Sequence, residues 1–81
     1  MSDSDPGLRK VAGYNQFIKL VRRGKAKRVF LASDAELLFA SNVRRELSAH
    51  PEIKLDETHS SLSLAELTGV EVRTFVVTEC I

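Results

Sequence analysis

The sequence predicts an α/β fold, a three-layer α/β/α sandwich with a small mixed four-stranded sheet. Three observations lead there. Helical and strand periodicities alternate along the chain. One apolar run, flanked by charge, reads as a strand covered on both faces. The length, 81 residues with 43% apolar composition, suits one domain spanning 1–81 and leaves no room for a second. The polar start MSDSDPG, residues 1–7, is expected to be flexible.

The first helix is read over Asn15 to Arg23. At 100° per residue Phe17, Ile18, Leu20 and Val21 share one side, and Gln16, Lys19, Arg22 and Arg23 share the other. Gly24 stops it, after a basic pair placed where cations suit the carbonyl end. Arg28 to Ala32, RVFLA, is the buried central strand. Ser33 and Glu36 then stand three apart, the spacing of a capping box, and open a second helix. Leu38, Phe39, Val43 and Leu47 form its inner stripe, while Arg44, Arg45 and Glu46 turn outward. It ends near His50, because Pro51 disfavours the α conformation in the residue before it. Ile53 and Leu55 alternate with Lys54 and Asp56 in a strand with one wet face. Ser63 and Glu66 repeat the capping-box spacing for a short third helix that Gly69 closes in the left-handed conformation. Val70 to Thr78 forms the last strand. The residue pattern thus places three of the four strands.

Net charge is only +1, but it is unevenly distributed. Residues 1–31 hold eight Lys/Arg against two Asp/Glu, a balance of +6; residues 32–81 hold four against nine, a balance of −5. A one-sided basic segment suits a polyanion, since Lys and Arg gain by neutralising phosphates and releasing counterions, and it equally suits a solvated face. The single cysteine, Cys80, excludes an intrachain disulfide and a multi-cysteine zinc set, and is expected to be a small buried or edge group in a reducing compartment. His50 and His59 have no ligand at metal spacing, so neither metal nor cofactor is expected. No apolar run approaches the ~20 residues of a membrane span, and no secretory leader is visible, which points to the cytoplasm. A glycine-rich phosphate loop and a nucleophile with its base are both missing, so no enzyme is expected.

The segments GYNQFIK, RRGKAKRVFLASDAE and TGVEV, in this order and spacing, resemble the kink-turn RNA-binding ribosomal protein superfamily of the L-seven-Ae and L-thirty-e type. The resemblance runs from about Gly13 to Ile81, and the chain is similar in length to small bacterial members. It implies an α/β/α sandwich that grips a sharply bent internal loop of RNA, such as one in ribosomal RNA, with a helix N-terminus and a neighbouring loop. By this resemblance Asn15 and Gln16 match the paired polar residues that contact sheared guanine–adenine pairs. Amides both donate and accept, which fits such an edge. Gly13 lets the backbone approach RNA, and free first-turn N–H groups favour phosphate. Lys19 matches the lysine one turn on, for a guanine acceptor or a phosphate. Arg22 extends the basic face. Glu36 holds the acidic position of the second helix, and Thr58-His59-Ser60 matches the segment packed under the bend. Two departures stand out: Asn15-Gln16 mixes the Asn-Glu and Lys-Gln pairs of other members, and Ser61-Leu62-Ser63-Leu64-Ala65 replaces a lysine-bearing loop followed by Leu-Gly.

Each of these residues has a second reading. Asn15 suits a helix cap, Gln16 and Lys19 a solvated face, Glu36 the capping partner of Ser33, and Tyr14 either a stacked base or packing against the first segment. For the chain as a whole the alternative is a protein–protein adaptor on the same fold, using the acidic half from Asp34 to Glu79. Clean amphipathic faces leave no evident surplus apolar patch, so a monomer is expected, with no membrane and no DNA as partners.

Overall fold

In a computed structural model, which describes residues 9–80, the alternating pattern becomes seven elements. They are β1 (Arg9–Ala12), α1 (Tyr14–Arg22), β2 (Ala26–Leu31), α2 (Leu37–Ser48), β3 (Lys54–Asp56), α3 (Ser61–Thr68) and β4 (Val76–Cys80). The polar start, 1–7, lies outside the described residues.

The sheet runs in the order β1-β4-β2-β3 and is mixed: β4 is antiparallel to both β1 and β2, while β2 and β3 are parallel. Its central strand, β2, faces two cores. Val29 and Leu31 point to one side, where Phe17 and Val21 of α1 and Ala40, Val43 and Leu47 of α2 close over them with Ile53 and Val76. Phe30 and Ala32 point to the other, where Leu64 of α3 and Val77 of β4 meet them. Two helices on one face and one on the other give the expected sandwich. The stripe on α1 is as read, with Phe17 and Val21 buried, Ile18 and Leu20 half-buried, and Gln16, Lys19, Arg22 and Arg23 exposed. Gly24 at φ 72° follows the helix, as expected of a left-handed stop.

Several local expectations are corrected. The fourth strand is β1, too short and too basic to show alternation; it is ordered by its register with β4, from Arg9↔Cys80 to Ala12↔Val77. The second helix starts after Glu36, not Ser33. The Ser33 N–H donates to the His59 carbonyl at 2.8 Å and the Ala35 N–H to the Ala32 carbonyl at 3.1 Å, so residues 32–35 make a turn. Glu36 is itself the cap, its carboxylate accepting from the Phe39 N–H at 3.1 Å. Leu38, assigned to the inner stripe, is 64% exposed: the stripe runs through Phe39, Ala40, Val43 and Leu47, and at 100° per residue Leu38 falls on the opposite side from Val43. The third helix begins a turn earlier than expected, with Ser60 as its cap, accepting from the Ser63 N–H at 3.1 Å. Gly69, at φ 74°, closes it as read. The last strand begins at Val76, not Val70. Residues 70–75 form a loop fixed by the Thr74 N–H to the Ser61 carbonyl and the Phe75 carbonyl accepting from Ala32 N–H at 2.9 Å, leaving Val72 73% exposed.

No helix among the described residues is long and apolar enough to cross a membrane.

Candidate nucleic-acid interface

The topology gathers the chemistry at one end. Strands β1, β2 and β3 all run the same way, because β4 is antiparallel to β1 and β2, and each is followed by a helix. All three helices therefore begin outside the carboxyl ends of their strands, the region where open α/β sheets place ligands. Their partial positive charges accumulate there.

The three starts differ in one respect. Glu36 and Ser60 cap α2 and α3 with side-chain oxygens, whereas the cap of α1 is Gly13, at φ 109° and ψ 150°, and among the described residues no side chain bonds its first turn. Gly13 is pinned by its own N–H to the Val76 carbonyl at 3.1 Å, which fixes the helix start against β4. Asn15 therefore does not cap; it is in the first turn, with Gln16 beside it, and both are exposed. Lys19 is exposed one turn later, on the same side. An uncapped helix start with two outward amides and a lysine can take an anion and a polar base edge together.

Aromatic packing joins this helix to its neighbours. Tyr14 lies 5.7 Å from Phe17 and 5.5 Å from Phe39 between ring centroids, and Phe39 lies 6.2 Å from Phe75. Tyr14 thus packs toward α2. Phe75 is 36% exposed and Leu37 76% exposed, so this surface is flanked by apolar groups on α2 and on the loop before β4. The sequence pattern missed Leu37, Leu38, Val72 and Phe75 as surface residues, because their spacing reads equally well as helix or strand core. The charges in Glu71 and Arg73 around Val72 were the available signal.

Among the sequence-predicted residues, Gly13, Asn15, Gln16 and Lys19 share α1's exposed start, and Glu36 joins them through the Tyr14–Phe39 contact. The loop of Thr58, His59 and Ser60 reaches the same end through the bond from Ser33 to His59, but its polar groups already have partners. The Thr58 N–H and hydroxyl both donate to Asp56 Oδ1, at 2.8 and 2.6 Å. The His59 ring stacks edge-on to Phe30 at 5.5 Å, with Nδ1 3.6 Å from Asp56. Ser60 caps α3. Arg22 stands apart: it is seven residues beyond Asn15, about 10 Å along the helix, and its guanidinium pairs with Glu46 at 3.2 Å. A fixed point at the surface is Asp34, an exposed residue whose carboxylate accepts from the Ser61 N–H and hydroxyl, both at 2.8 Å. These two bonds hold its carboxyl below the usual aspartate range. No group of three metal-ligating side chains forms among the described residues.

The fold and site define a small α/β/α domain that presents helix starts at one end of a mixed sheet. The chain belongs to the Ribosomal protein L7Ae/L30e/S12e/Gadd45 family, whose model matches residues 8–80. Among solved structures it is similar to a protein of unknown function from Bacillus halodurans C, with a TM-score of 0.79 at 19% identity over 89% of this chain and 71% of that one. It is also similar to the Giardia lamblia 15.5kD RNA binding protein, with a TM-score of 0.72 at 26% identity over 89% of this chain. The chain spans 60% of the Giardia protein's length. No curated protein sequence matches it significantly.

Proposed function

We propose that the chain binds structured RNA at a kink-turn, through the start of α1 and the surfaces of Glu36 and Phe75 beside it. The observation that carries this reading is the uncapped first turn of α1, which leaves backbone N–H groups, two exposed amides and Lys19 directed outward together. Phosphate would meet the N–H groups and Lys19; the amides of Asn15 and Gln16 would read the edges of the sheared pairs. An unstacked base would lie on the exposed apolar groups Leu37, Val72 and Phe75. Family membership and the printed description of the Giardia protein as RNA binding support the reading. Membership also makes a binding role, not catalysis, the function of the fold.

The adaptor reading is less favoured, because much of the acidic half is engaged within the molecule. Glu46 pairs with Arg22, Glu57 with Arg44 and Glu79 with Lys10, while Asp34 and Asp56 hold Ser61 and Thr58.

The test is a titration against a kink-turn RNA and against the same RNA with its sheared pairs replaced. Preference for the intact bend is expected, and equal affinity for both RNAs would refute kink-turn recognition. Co-sedimentation with ribosomes at low and high salt then separates a stable ribosomal component from a loosely attached factor.

A further inference from the structure

The face of the sheet under α3 is only half covered. One eight-residue helix lies over it, above Phe30 and Val77, and the row of side chains next to that pair is left outside. Register sets this row across all four strands: Lys10 opposite Glu79, Glu79 opposite Arg28, and Arg28 opposite Lys54. It holds three cations against one acid. That acid, Glu79, lies 3.3 Å from the Lys10 ammonium, so the balance falls on Arg28 and Lys54, and neither forms an ion pair among the described residues.

Like charges opposite one another on adjacent strands repel, and the sheet carries that cost unless an anion sits between them. A cleft of about 350 Å³ opens at this point, lined by Arg28, Lys54, Leu55, Asp56, Glu57 and Thr58. Of its two acids, Glu57 pairs with Arg44, and Asp56 keeps its charge, with Oδ1 turned to the Thr58 N–H and hydroxyl. Arg28 is also held in place, its guanidinium carbon 6.0 Å from the Phe30 ring centroid.

We propose that this cleft is a second phosphate site, which takes the backbone of an RNA strand leaving the α1 end of the molecule. The proposal rests on RNA being the ligand there. Its occupant follows from charge and from continuity. Arg28 and Lys54 match a phosphodiester, and Thr58, which lines the cleft, begins the loop whose next residue, His59, is bonded to Ser33 in the turn before α2, at the same end of the sheet as the first site. Arg28 is four residues from Ala32, just past the end of β2, about 13 Å, a span that a few nucleotides cover.

The test compares the wild-type chain with an Arg28→Gln/Lys54→Gln double variant, on a kink-turn RNA with and without a single-stranded extension. Both substitutions are at exposed positions, and unchanged melting will verify the fold. The extension should tighten wild-type binding on the order of tenfold at low salt, with the salt slope steeper by about 1.4, the value for two single-strand phosphates. The double variant should lose that gain and bind the unextended RNA as wild type does. A gain retained by the double variant overturns the proposal. A parallel titration with inorganic phosphate, followed by amide NMR, should shift Arg28, Lys54 and Thr58 in the wild type and not in the variant. If the wild type ignores the kink-turn itself, the first reading fails while the phosphate titration still decides the cleft: shifts that persist in the variant or spread evenly over lysines refute it. A polyglutamate peptide that displaces phosphate, with no gain from the RNA extension, would assign the cleft to an acidic protein partner and also overturn the proposal.

Discussion

At the residue scale, Gly13 combines two requirements. Its φ of 109° is a conformation that side chains disfavour, yet a Cβ built there would meet no atom within 4 Å. Gly13→Ala should therefore destabilise through backbone strain alone, by roughly 1–3 kcal/mol in denaturant titration, and disturb the start of α1. Asn15→Ala and Gln16→Ala should leave melting unchanged, because both side chains are exposed, and each weaken kink-turn binding by about 1–3 kcal/mol. Loss of melting temperature without loss of affinity would reverse their assignment. Asp34 behaves differently. The hydrogen bonds from Ser61 depress its pKa, so its contribution to stability is complete above the ordinary aspartate pKa, about 3.9, and is lost as pH falls through the lower folded value. Asp34→Asn should lower the melting temperature at pH 7, and the gap from wild type should narrow on acidification toward pH 3. Thr78 is the converse case: its hydroxyl is buried in β4 with no hydrogen-bond partner among the described residues. Thr78→Val should be neutral or stabilising by up to ~1 kcal/mol in the same titration.

At the element scale, α3 depends on few contacts. Leu64 is the large side chain it buries completely, against Phe30, Ala32 and Val77. Leu64→Ala should cost roughly 2–5 kcal/mol, the largest loss among the substitutions considered, measured by chemical denaturation. The helix starts explain why some boundaries were legible and others were not. A Ser three residues before a Glu is a local signal, and two such pairs occur, yet neither is used as a box. Ser33 is drawn into a turn by the His59 carbonyl, and Ser63 gives its N–H to Ser60 one turn upstream. The first outcome depends on a residue brought near by folding; the second is a local competition, won by the serine three residues earlier. The stops at Gly24 and Gly69 were legible because the left-handed conformation is a property of one residue type.

At the scale of the whole molecule, the linear charge split is partly undone by packing. Lys10 and Arg22 of the basic segment pair with Glu79 and Glu46 of the acidic one, across β1–β4 and α1–α2. The positive charge left without an ion pair among the described residues includes Lys19, Arg28 and Lys54, together with Arg23, Lys25 and Lys27 at and after the end of α1. Lys19→Ala should reduce the salt slope of RNA affinity by about one, while Arg22→Ala should leave it unchanged, since Arg22 sits beyond the site and already has Glu46. A drop in slope with Arg22→Ala would extend the interface along the full helix. The expectation of a monomer rested on there being no surplus apolar surface. That ground is not met: Leu37, Leu38, Leu62, Val72 and Phe75 are all exposed.

The amino-acid order alone determined the alternation of helix and strand, the doubly covered central strand and the amphipathic α1 with its polar first turn. Each of these depends on a period or a residue type that acts within a few positions. Tertiary structure decided the rest. It showed which helix start stays uncapped, paired β1 with β4, moved 70–75 out of the sheet, and set Arg28 against Lys54. Those outcomes depend on hydrogen bonds and registers between residues distant in the chain, which no local pattern carries.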